Sequence, residues 1–257
     1  VMVTGHRTSR KQNNGGILMR KKIVTAAVAV ALAATMSVSA FAAVGSPAGG
    51  VQVDDSTVTI FDEKTGAETT DTIRTATDVI LDSEGNVVDL DSITQPVVRI
   101  ITVSQAVKAN AAVGTAVGGD TMTNNGRTVA QNKHLIAENA KTAEAKTTEE
   151  ALGKVQSGLA ATAATALNAN VNSYAQAQTL EVVFNKAAAE LAAKNNGITI
   201  TLYVAGAKEG SKGFVQYYNA NGAARIIVVT YGNNGRVSFK LPNASIIRTF
   251  VAAPQAK

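Results

Sequence analysis

The chain has 257 residues, and its formal net charge of +5 arises entirely from its first 42 residues. Six basic and no acidic residues lie there, so residues 43–257 hold 18 basic and 19 acidic residues, a net charge of −1. The basic isoelectric point therefore gives no reason to expect a nucleic-acid partner. The absence of cysteine excludes disulfides and a lipoprotein anchor, and it leaves the usual zinc sites without thiolate ligands.

Residues 19–42 have the three parts of a secretory signal peptide in the usual order. Met19-Arg20-Lys21-Lys22 is a cationic start, and the uncharged apolar run Ile23 to Ala34 follows it. Ala40 and Ala42 then supply the small-x-small pattern that signal peptidase accepts. The apolar run is too short for a membrane span, which needs about 20 residues. We therefore expect secretion, with membrane contact only through the signal peptide before cleavage.

Two further predictions concern the cleavage site at the end of this leader and the translation start before it. Cleavage after Ala42 would make Ala43 the first residue of the extracellular protein. At the other end, Gly15-Gly16 lie at the distance from Met19 where glycine codons can encode a purine-rich ribosome-binding site. We expect translation to begin at Met19 and residues 1–18 to be an over-extended gene start.

Residues 43–103 form a predicted β-rich region. Short runs of β-branched residues alternate with polar residues, and turn signals separate them. The clearest pattern is the hairpin in which Asp82 to Asn86 joins Val79-Ile80-Leu81 to Val87-Val88. Lys64-Thr65-Gly66 predicts an earlier turn, and a strand is expected over 97–103.

Residues 104–195 are predicted to be a helical, partly low-complexity segment rich in alanine. A short helix is expected from Gln105 to Ala112, followed by a glycine-rich loop. Thr147 and Glu150 have the spacing of a helix capping box. Thr179 is expected to cap the last helix, whose apolar face would include Val182, Val183, Phe184, Ala187 and Leu191.

Residues 196–253 have the clearest strand pattern in the chain. Apolar and polar residues alternate over 198–205 and again over 236–241, which indicates half-buried strands. Asn234-Gly235 predicts a two-residue hairpin turn, because both central residues of a type I′ turn need positive φ. The predicted fold class is α+β: an N-terminal β-hairpin region, central alanine-rich helices and a C-terminal antiparallel β-sandwich-like domain.

The stretch from Gln216 to Leu241 resembles a known group of proteins. An aromatic strand leads through Asn221-Gly222 to a second strand, and Asn234-Gly235 leads to Val237-x-Phe-x-Leu. This arrangement is similar to the C-terminal β-domain of small secreted proteins from Gram-positive gut anaerobes. The resemblance implies export and an immunoglobulin-like sandwich, and it implies no activity.

Four tyrosines of the strand-rich end form the candidate ligand surface: Tyr203, Tyr217, Tyr218 and Tyr231. If several of them share one exposed face, they could contact a cell-wall glycan, a host glycan or another protein. The alternative is that they pack the sheet, since aromatic residues favour strands in any case.

The residues that could carry catalysis or bind a metal ion form no specific motif. His134 is the only histidine after the leader, and it adjoins no nucleophile motif, so we expect an exposed helical residue. Four acids surround the predicted hairpin: Asp82, Glu84, Asp89 and Asp91. They could bind Ca²⁺ or include a glycosidase pair, but turn residues in contact with solvent explain them as well. We assign no catalytic residue, metal ligand or cofactor.

Three functions follow as hypotheses. The leading one is a secreted, non-enzymatic structural or adhesive binding module with an unknown ligand. The first alternative is a secreted, carboxylate-dependent hydrolase of the glycosidase type, although the absence of tryptophan removes the usual aromatic platform for sugars. The second alternative is an extracellular assembly protein in which residues 128–195 pair between chains.

Overall fold

The structure is a computed structural model, and it describes residues 56–61, 68–76 and 79–253. All of these residues belong to one compact unit of the chain. The expected start at Met19, the signal peptide with Ala40, Ala42 and Ala43, and the turn at 64–66 lie outside the described residues.

The described residues contain nine strands. They are β1 Ser56–Phe61, β2 Glu68–Ala76, β3 Val97–Thr102, β4 Tyr174–Phe184, β5 Ile198–Tyr203, β6 Lys212–Tyr218, β7 Ala224–Thr230, β8 Arg236–Leu241 and β9 Ser245–Ala252. Seven form a mixed sheet in the order β1-β2-β3-β4-β9-β6-β7, in which β2 and β3 run parallel and the other neighbours antiparallel. β5 and β8 pair antiparallel in a separate small sheet.

Five α-helices accompany these strands. They are α1 Val103–Val113, α2 Val129–Ala143, α3 Thr148–Val155, α4 Leu159–Leu167 and α5 Lys186–Lys194. Short 3-10 turns lie at Leu90–Ser92, Val171–Ser173 and Asn233–Gly235. The predicted α+β class and the antiparallel C-terminal strands are therefore confirmed.

One face of the large sheet packs against the small sheet and α5. Side chains alternate along each strand, so Leu180 and Val182 of β4 and Ile247 of β9 point to this face. Ile200 of β5 and Phe239 of β8 meet them in the main core. This two-layer packing of strands is the sandwich-like part of the fold.

The opposite face of the large sheet is covered by α1 to α4. Leu152 of α3 and Leu159 of α4 pack on Phe214 of β6 and Phe250 of β9, whose rings are stacked with centroids 4.3 Å apart. Leu135 of α2 packs farther along the same face. The apolar sides of these helices are thus buried within their own chain.

The predicted helix over 179–195 is wrong in its first part. Residues Tyr174–Phe184 form β4, which lies between β3 and β9, and α5 begins only at Lys186. Thr179 is therefore a buried strand residue, and the Oδ1 of Asn185 caps α5 by accepting from the backbone N–H of Ala188. Both neighbours of β4 supply backbone hydrogen bonds and apolar contacts, which outweigh the weak local preference for helix.

The predicted hairpin at Asn234-Gly235 is also wrong, although its backbone conformation is as expected. Asn234 has φ of 57° and Gly235 has φ of 75°. The strands on either side do not pair, because β7 pairs with β6 and β8 pairs with β5. The turn therefore carries the chain from the large sheet to the small one.

Several local predictions are confirmed with small changes. α1 begins two residues before the expected Gln105, with Thr102 as its N-cap. Thr147 caps α3 by accepting from the backbone N–H of Glu150. The Glu150 carboxylate accepts from the N–H of Lys146 instead of that of Thr147, so the reciprocal half of the capping box is missing. The predicted turn at 82–86 is present, with a single bridge from Leu81 to Val87.

Candidate functional site

A cleft of about 570 Å³ is lined by α2, by residues 181–183 of β4 and by the turns that follow β6 and precede β9. Six ionisable side chains line it: Arg127, His134, Glu138, Lys141, Glu181 and Tyr218. The other polar groups of its wall are Asn219, Asn243 and Ser245. This concentration of charged and amide groups makes the cleft the candidate functional site.

Helix α2 supplies one wall of the cleft. Thr128 caps it, and Thr128 and Gln131 form a complete capping box, so its first turn is well defined. His134, Glu138 and Lys141 are four and then three residues apart, which places them along one face of the helix. His134 and Lys141 are exposed, whereas Glu138 lies on the buried side with only 4% of its surface exposed.

Arg248 of β9 anchors Glu138 from the sheet. Arg248 is completely buried, and its Nη2 donates to the backbone oxygen of Glu138 at 2.6 Å and to Oε2 of Glu138 at 3.0 Å. Its Nη1 donates to Oε1 of Gln216 on β6 at 2.7 Å. The Tyr218 ring lies 5.9 Å from the guanidinium carbon, within reach of a cation–π contact.

The surroundings of Glu138 keep its carboxylate ionised. Burial acts to raise the pKa of Glu138, but hydrogen bonds from Lys141, Tyr218 and Arg248 outweigh it and lower the pKa to about 2. Tyr218 donates its hydroxyl to Oε2 of Glu138 at 2.7 Å. Burial and this carboxylate together raise the pKa of Tyr218, so its hydroxyl stays protonated.

Glu181 of β4 is the second carboxylate of the cleft. Its Oε1 accepts from Arg127, in the loop before α2, and its Oε2 is buried without a partner among the described residues. Burial is the largest influence on this group and raises the pKa of Glu181, although Arg127, His134 and Arg99 act in the opposite direction. The two carboxylates of the cleft thus have pKa values displaced in opposite directions.

A buried polar cluster holds the loop that carries Arg127. Asn132 of α2 exchanges side-chain hydrogen bonds with Thr123 and Asn125, all three being at least nine-tenths buried. Arg99 of β3 donates to the backbone oxygen of Asn125 at 2.8 Å. These contacts fix the loop against the sheet and so place Arg127 beside Glu181.

Uncharged lining residues of the cleft come from the turn between β6 and β7 and from the segment before β9. Asn219 accepts from the backbone N–H of Ala223 through Oδ1, at 2.8 Å. Its Nδ2 donates to no acceptor in the part of the chain that the structure describes. Asn243 donates to the backbone oxygen of Tyr218 at 3.0 Å, which joins the two segments of this wall.

The four tyrosines predicted as a ligand surface do not share one environment. Tyr231 is 1% exposed in the main core, where its hydroxyl donates to the backbone oxygen of Phe250. Tyr217 packs against the same core from β6, whereas Tyr218, the next residue, points to the opposite face and lines the cleft. Tyr203 lies half-buried on β5. One of the four is thus part of the candidate site.

The acidic residues of the predicted calcium or glycosidase site form hydrogen bonds with backbone groups at turns and at the start of α5. Asp82 accepts from the N–H groups of Glu84 and Asn86, and the Asn86 hydrogen bonds lower the pKa of Asp82. Asp89 caps the 3-10 turn at Leu90–Ser92, and Asp91 accepts from the N–H of Lys186. Within the described ranges, no three His, Asp or Glu residues come together in a way that could hold a metal ion.

The sequence contains a partial signal for this site, in two charged residues that lie on buried faces. Glu138 lies in the buried stripe of α2 with Val129, Asn132, Leu135 and Thr142, and Arg248 lies in β9, six of whose eight residues are buried. A charge on the buried face of an element needs a partner of opposite charge. His134 is exposed on its helix, as expected, but it also lines the cleft.

Comparisons with known families, curated proteins and solved structures found no match to this chain. No family model matches the chain, and neither a curated protein nor a solved structure is significantly similar to it. Among the helices of the described residues, none has the length and apolar character needed to cross a membrane.

Proposed function

We propose that this chain is an exported, non-enzymatic binding module that holds an extracellular ligand in the cleft beside α2. The single observation that carries the proposal is the wall of the cleft, where charged side chains and side-chain amides together surround about 570 Å³. Pockets of this size, with a few well-placed polar groups, are typical ligand sites. Export is supported by the signal-peptide pattern of residues 19–42.

The rigid support of the cleft favours binding. Arg248, Gln216 and Tyr218 hold Glu138 in one position, and the Asn132 cluster holds the loop of Arg127. A preorganised wall loses little conformational entropy when a ligand binds. We keep the immunoglobulin-like sandwich as part of the proposal, supported by the packing of the small sheet on the large one. A glycan is the preferred ligand class, because side-chain amides recognise hydroxyl groups.

The test is a titration of the isotope-labelled chain 43–257 with cell-wall and mucin-type glycans, followed by NMR. We expect chemical-shift changes concentrated at Asn219, Asn243 and Lys141, with the glycan recovered intact. The Asn219→Asp variant keeps the oxygen that Ala223 needs but loses the amide donor, so its affinity should fall about fivefold.

The matched control is Asn221→Asp, an exposed change of the same charge in the same turn that does not line the cleft. It should bind like the parent chain. Shift changes that avoid the cleft for every glycan, or equal losses in the two variants, would overturn the proposal.

A second candidate is the carboxylate-dependent hydrolase, which one specific observation favours. Glu138 and Glu181 line the same cleft, and their pKa values are displaced downward and upward. A general acid next to an ionised carboxylate is the usual arrangement in glycosidases. Against it, Arg248, Tyr218 and Lys141 occupy both oxygens of Glu138.

Hydrolysis is distinguished from binding by its product. If the hydrolase function is correct, a cleft-binding glycan incubated with the chain should release reducing ends, and Glu181→Gln should abolish the release. Continued binding by the variant without any release from either protein would eliminate this candidate.

A further inference from the structure

The large sheet ends at β7, which pairs with β6 on one side and with no described strand on the other. Its seven residues pair with β6 without a bulge, and the run from Ile226 to Val229 is entirely apolar and β-branched. The strand has no proline, and its only charged residue, Arg225, lies near its first end. Charges, prolines and bulges are the features that keep edge strands from pairing with other chains, and the middle of β7 lacks all three.

The direction of the backbone groups of β7 follows from two hydrogen bonds just outside the strand. Asn219 donates its backbone N–H to the oxygen of Ala223, and Tyr231 donates its own to the oxygen of Ser211. Groups that face the partner strand alternate with groups that face away in an antiparallel pair. The odd-numbered residues of β7 therefore bond to β6, and the even-numbered ones direct their N–H and C=O groups away from the sheet.

Three of these outward residues have unused hydrogen-bonding groups. The first outward N–H, that of Ala224, donates to Oε1 of Gln156 at 2.8 Å. The N–H and C=O groups of Ile226, Val228 and Thr230 have no hydrogen-bond partner among the described residues. Val228 is 40% exposed, and Thr230 is exposed as well. The chemical complement of such an edge is another extended strand.

Helix α4 packs on the sheet at this edge, where Leu159 and Ala163 contact the core around Ala224 and Ile226. The chain has no charged residue from position 155 to position 180, so α4 carries no charge. The exposed positions of α4 are alanine and threonine: Ala161, Thr162, Thr165 and Ala166. Both threonine hydroxyls donate to carbonyls one turn earlier in the helix, so they need no partner from outside.

We infer that β7 pairs with β7 of a second copy of this chain, antiparallel about a two-fold axis at Val228. In this register Val228 lies opposite its counterpart, and Ile226 lies opposite Thr230 of the second copy. The three residues with unused groups then form three hydrogen-bonded pairs, and the N–H of Ala224 stays with Gln156. The inference concerns a surface other than the ligand cleft and does not depend on the proposed ligand.

The charge distribution favours a second copy over an unrelated strand. Two identical surfaces repel each other when they are charged, but the middle of β7 and the whole of α4 are uncharged. Residues 43–257 have a net charge of −1, so repulsion between whole molecules is also small. About this axis the two α4 helices lie on the same face of the joined sheet, where small side chains allow close approach. A single peptide strand would leave α4 uncovered.

The test measures the mass of the chain 43–257 by sedimentation equilibrium over a range of concentrations. We expect the mass to rise from one chain to two and no further, because a two-fold contact between the β7 edges is closed. A mass of one chain at every concentration would overturn the inference, and so would a mass that rises beyond two chains.

Two lysine variants distinguish the β7 edge from other surfaces. Val228→Lys should raise the dissociation constant of the dimer at least about a hundredfold, because two positive charges would meet at the axis. Val107→Lys is the matched control, since Val107 lies on α1 and is 39% exposed, close to the 40% of Val228. It should dimerise like the parent chain, and equal weakening by the two variants would contradict the proposed contact.

Amide hydrogen exchange supplies a second measurement that does not depend on a variant. In the monomer the amides of Ile227 and Val229 should be protected by β6, whereas those of Ile226, Val228 and Thr230 should exchange quickly. The second group should become protected as the dimer forms. The protected first group also shows whether Val228→Lys is folded.

Two exchange results would overturn the inference. Outward amides that stay unprotected in the dimer would place the contact between copies elsewhere. Outward amides that are protected at every concentration, including those at which the chain is a monomer, would show that another part of the same chain covers the edge.

Discussion

Arg248 and Glu138 are each unexpected in their own element, and the tertiary structure pairs them. Arg248 is fully buried in β9, and Glu138 lies on the buried side of α2. Taking both charges out of water is costly, and their contact repays this only with good geometry and further hydrogen bonds. Gln216 and Tyr218 supply those bonds. Removal of either charge should therefore be far more harmful than a surface change.

The first prediction concerns Glu138→Gln. The folded pKa of Glu138, about 2, lies below its usual value of 4.5. Its ionised form therefore stabilises the fold above pH 4.5, and this contribution is lost as pH falls towards 2. The variant should unfold with a free energy lower by about 3–5 kcal/mol at pH 7, because Arg248 remains buried without its countercharge.

Chemical denaturation at a series of pH values between 2 and 7 measures this effect. The difference between parent and variant should shrink as pH falls below 4.5. Glu190→Gln on α5, at an exposed position, serves as the control and should change the free energy little at any pH. A pH-independent difference for Glu138→Gln would contradict the ionic role.

The second prediction concerns Glu181→Gln, for which the sign is reversed. Burial raises the folded pKa of Glu181, so the fold is favoured while this group is protonated, and that advantage is lost as pH rises from 4.5 through the folded pKa. Glutamine has no proton to lose. The stability of the variant relative to the parent should therefore increase with pH above 4.5 and then level off.

The same denaturation series measures this trend, with Glu190→Gln again as the control. If the stability of Glu181→Gln relative to the parent fell with rising pH, the ion pair with Arg127 would outweigh burial, and the raised pKa of Glu181 would be contradicted. Because the two glutamates act in different pH ranges, their effects can be separated within one set of experiments.

At the scale of helices and strands, two glycines show that the effect of adding a methyl group depends on the space around it. Gly153 lies inside α3, and a Cβ added there would meet no atom within 4 Å. Gly213 lies in β6, where a Cβ would come within 2.3 Å of the backbone oxygen of Phe250 and 2.5 Å of the Tyr231 ring. Helix propensity therefore determines the effect on stability of replacing Gly153, and packing determines the effect of replacing Gly213.

The third prediction is that Gly153→Ala stabilises the fold and Gly213→Ala destabilises it. In the helix, alanine should raise the free energy of unfolding by about 0.5–1 kcal/mol, because it loses less backbone entropy on folding than glycine. In β6, the same substitution should lower the free energy of unfolding by about 1–3 kcal/mol, since β6 and β9 must separate to admit the methyl group. Each variant is the control for the other, measured by the denaturation midpoint at unchanged slope. Changes of the same sign would contradict this account.

For the whole molecule, β9 and β4 join parts of the chain that the sequence separates. β9 lies between β4 and β6, so the last strand completes a sheet that also contains β3. The main core likewise combines Val98 and Leu180 with Ile200 and Ile247. The strand-rich segment 196–253 alone therefore lacks the strand and the helices against which β9 and β6 pack.

The fourth prediction follows for a fragment of residues 196–253. It should remain largely unfolded, because β9 loses β4 and the sheet loses the helices that cover Phe214 and Phe250. Circular dichroism and NMR dispersion measure this, with the chain 43–257 as the folded reference. Cooperative unfolding of the fragment would instead support an independent C-terminal domain.

The sequence by itself determined those features that depend on neighbours along the chain. Alternation predicted β5 and β8, and threonine spacing predicted the start of α3. Asn234-Gly235 indicated two residues with positive φ. These predictions succeed because side-chain direction, capping and turn geometry are set within a few residues.

Only the tertiary structure decided which strands pair and where the candidate site lies. β4 was taken for helix because its neighbours β3 and β9 are distant in sequence: Arg99 pairs with Val183, 84 residues away, and Leu180 pairs with Ile247, 67 residues away. The cleft combines Arg127, Glu138 and Glu181 with residues around 218 and 243 for the same reason. Pairing energy and the neutralisation of buried charge are properties of contacts in space, so no local pattern along the chain contains them.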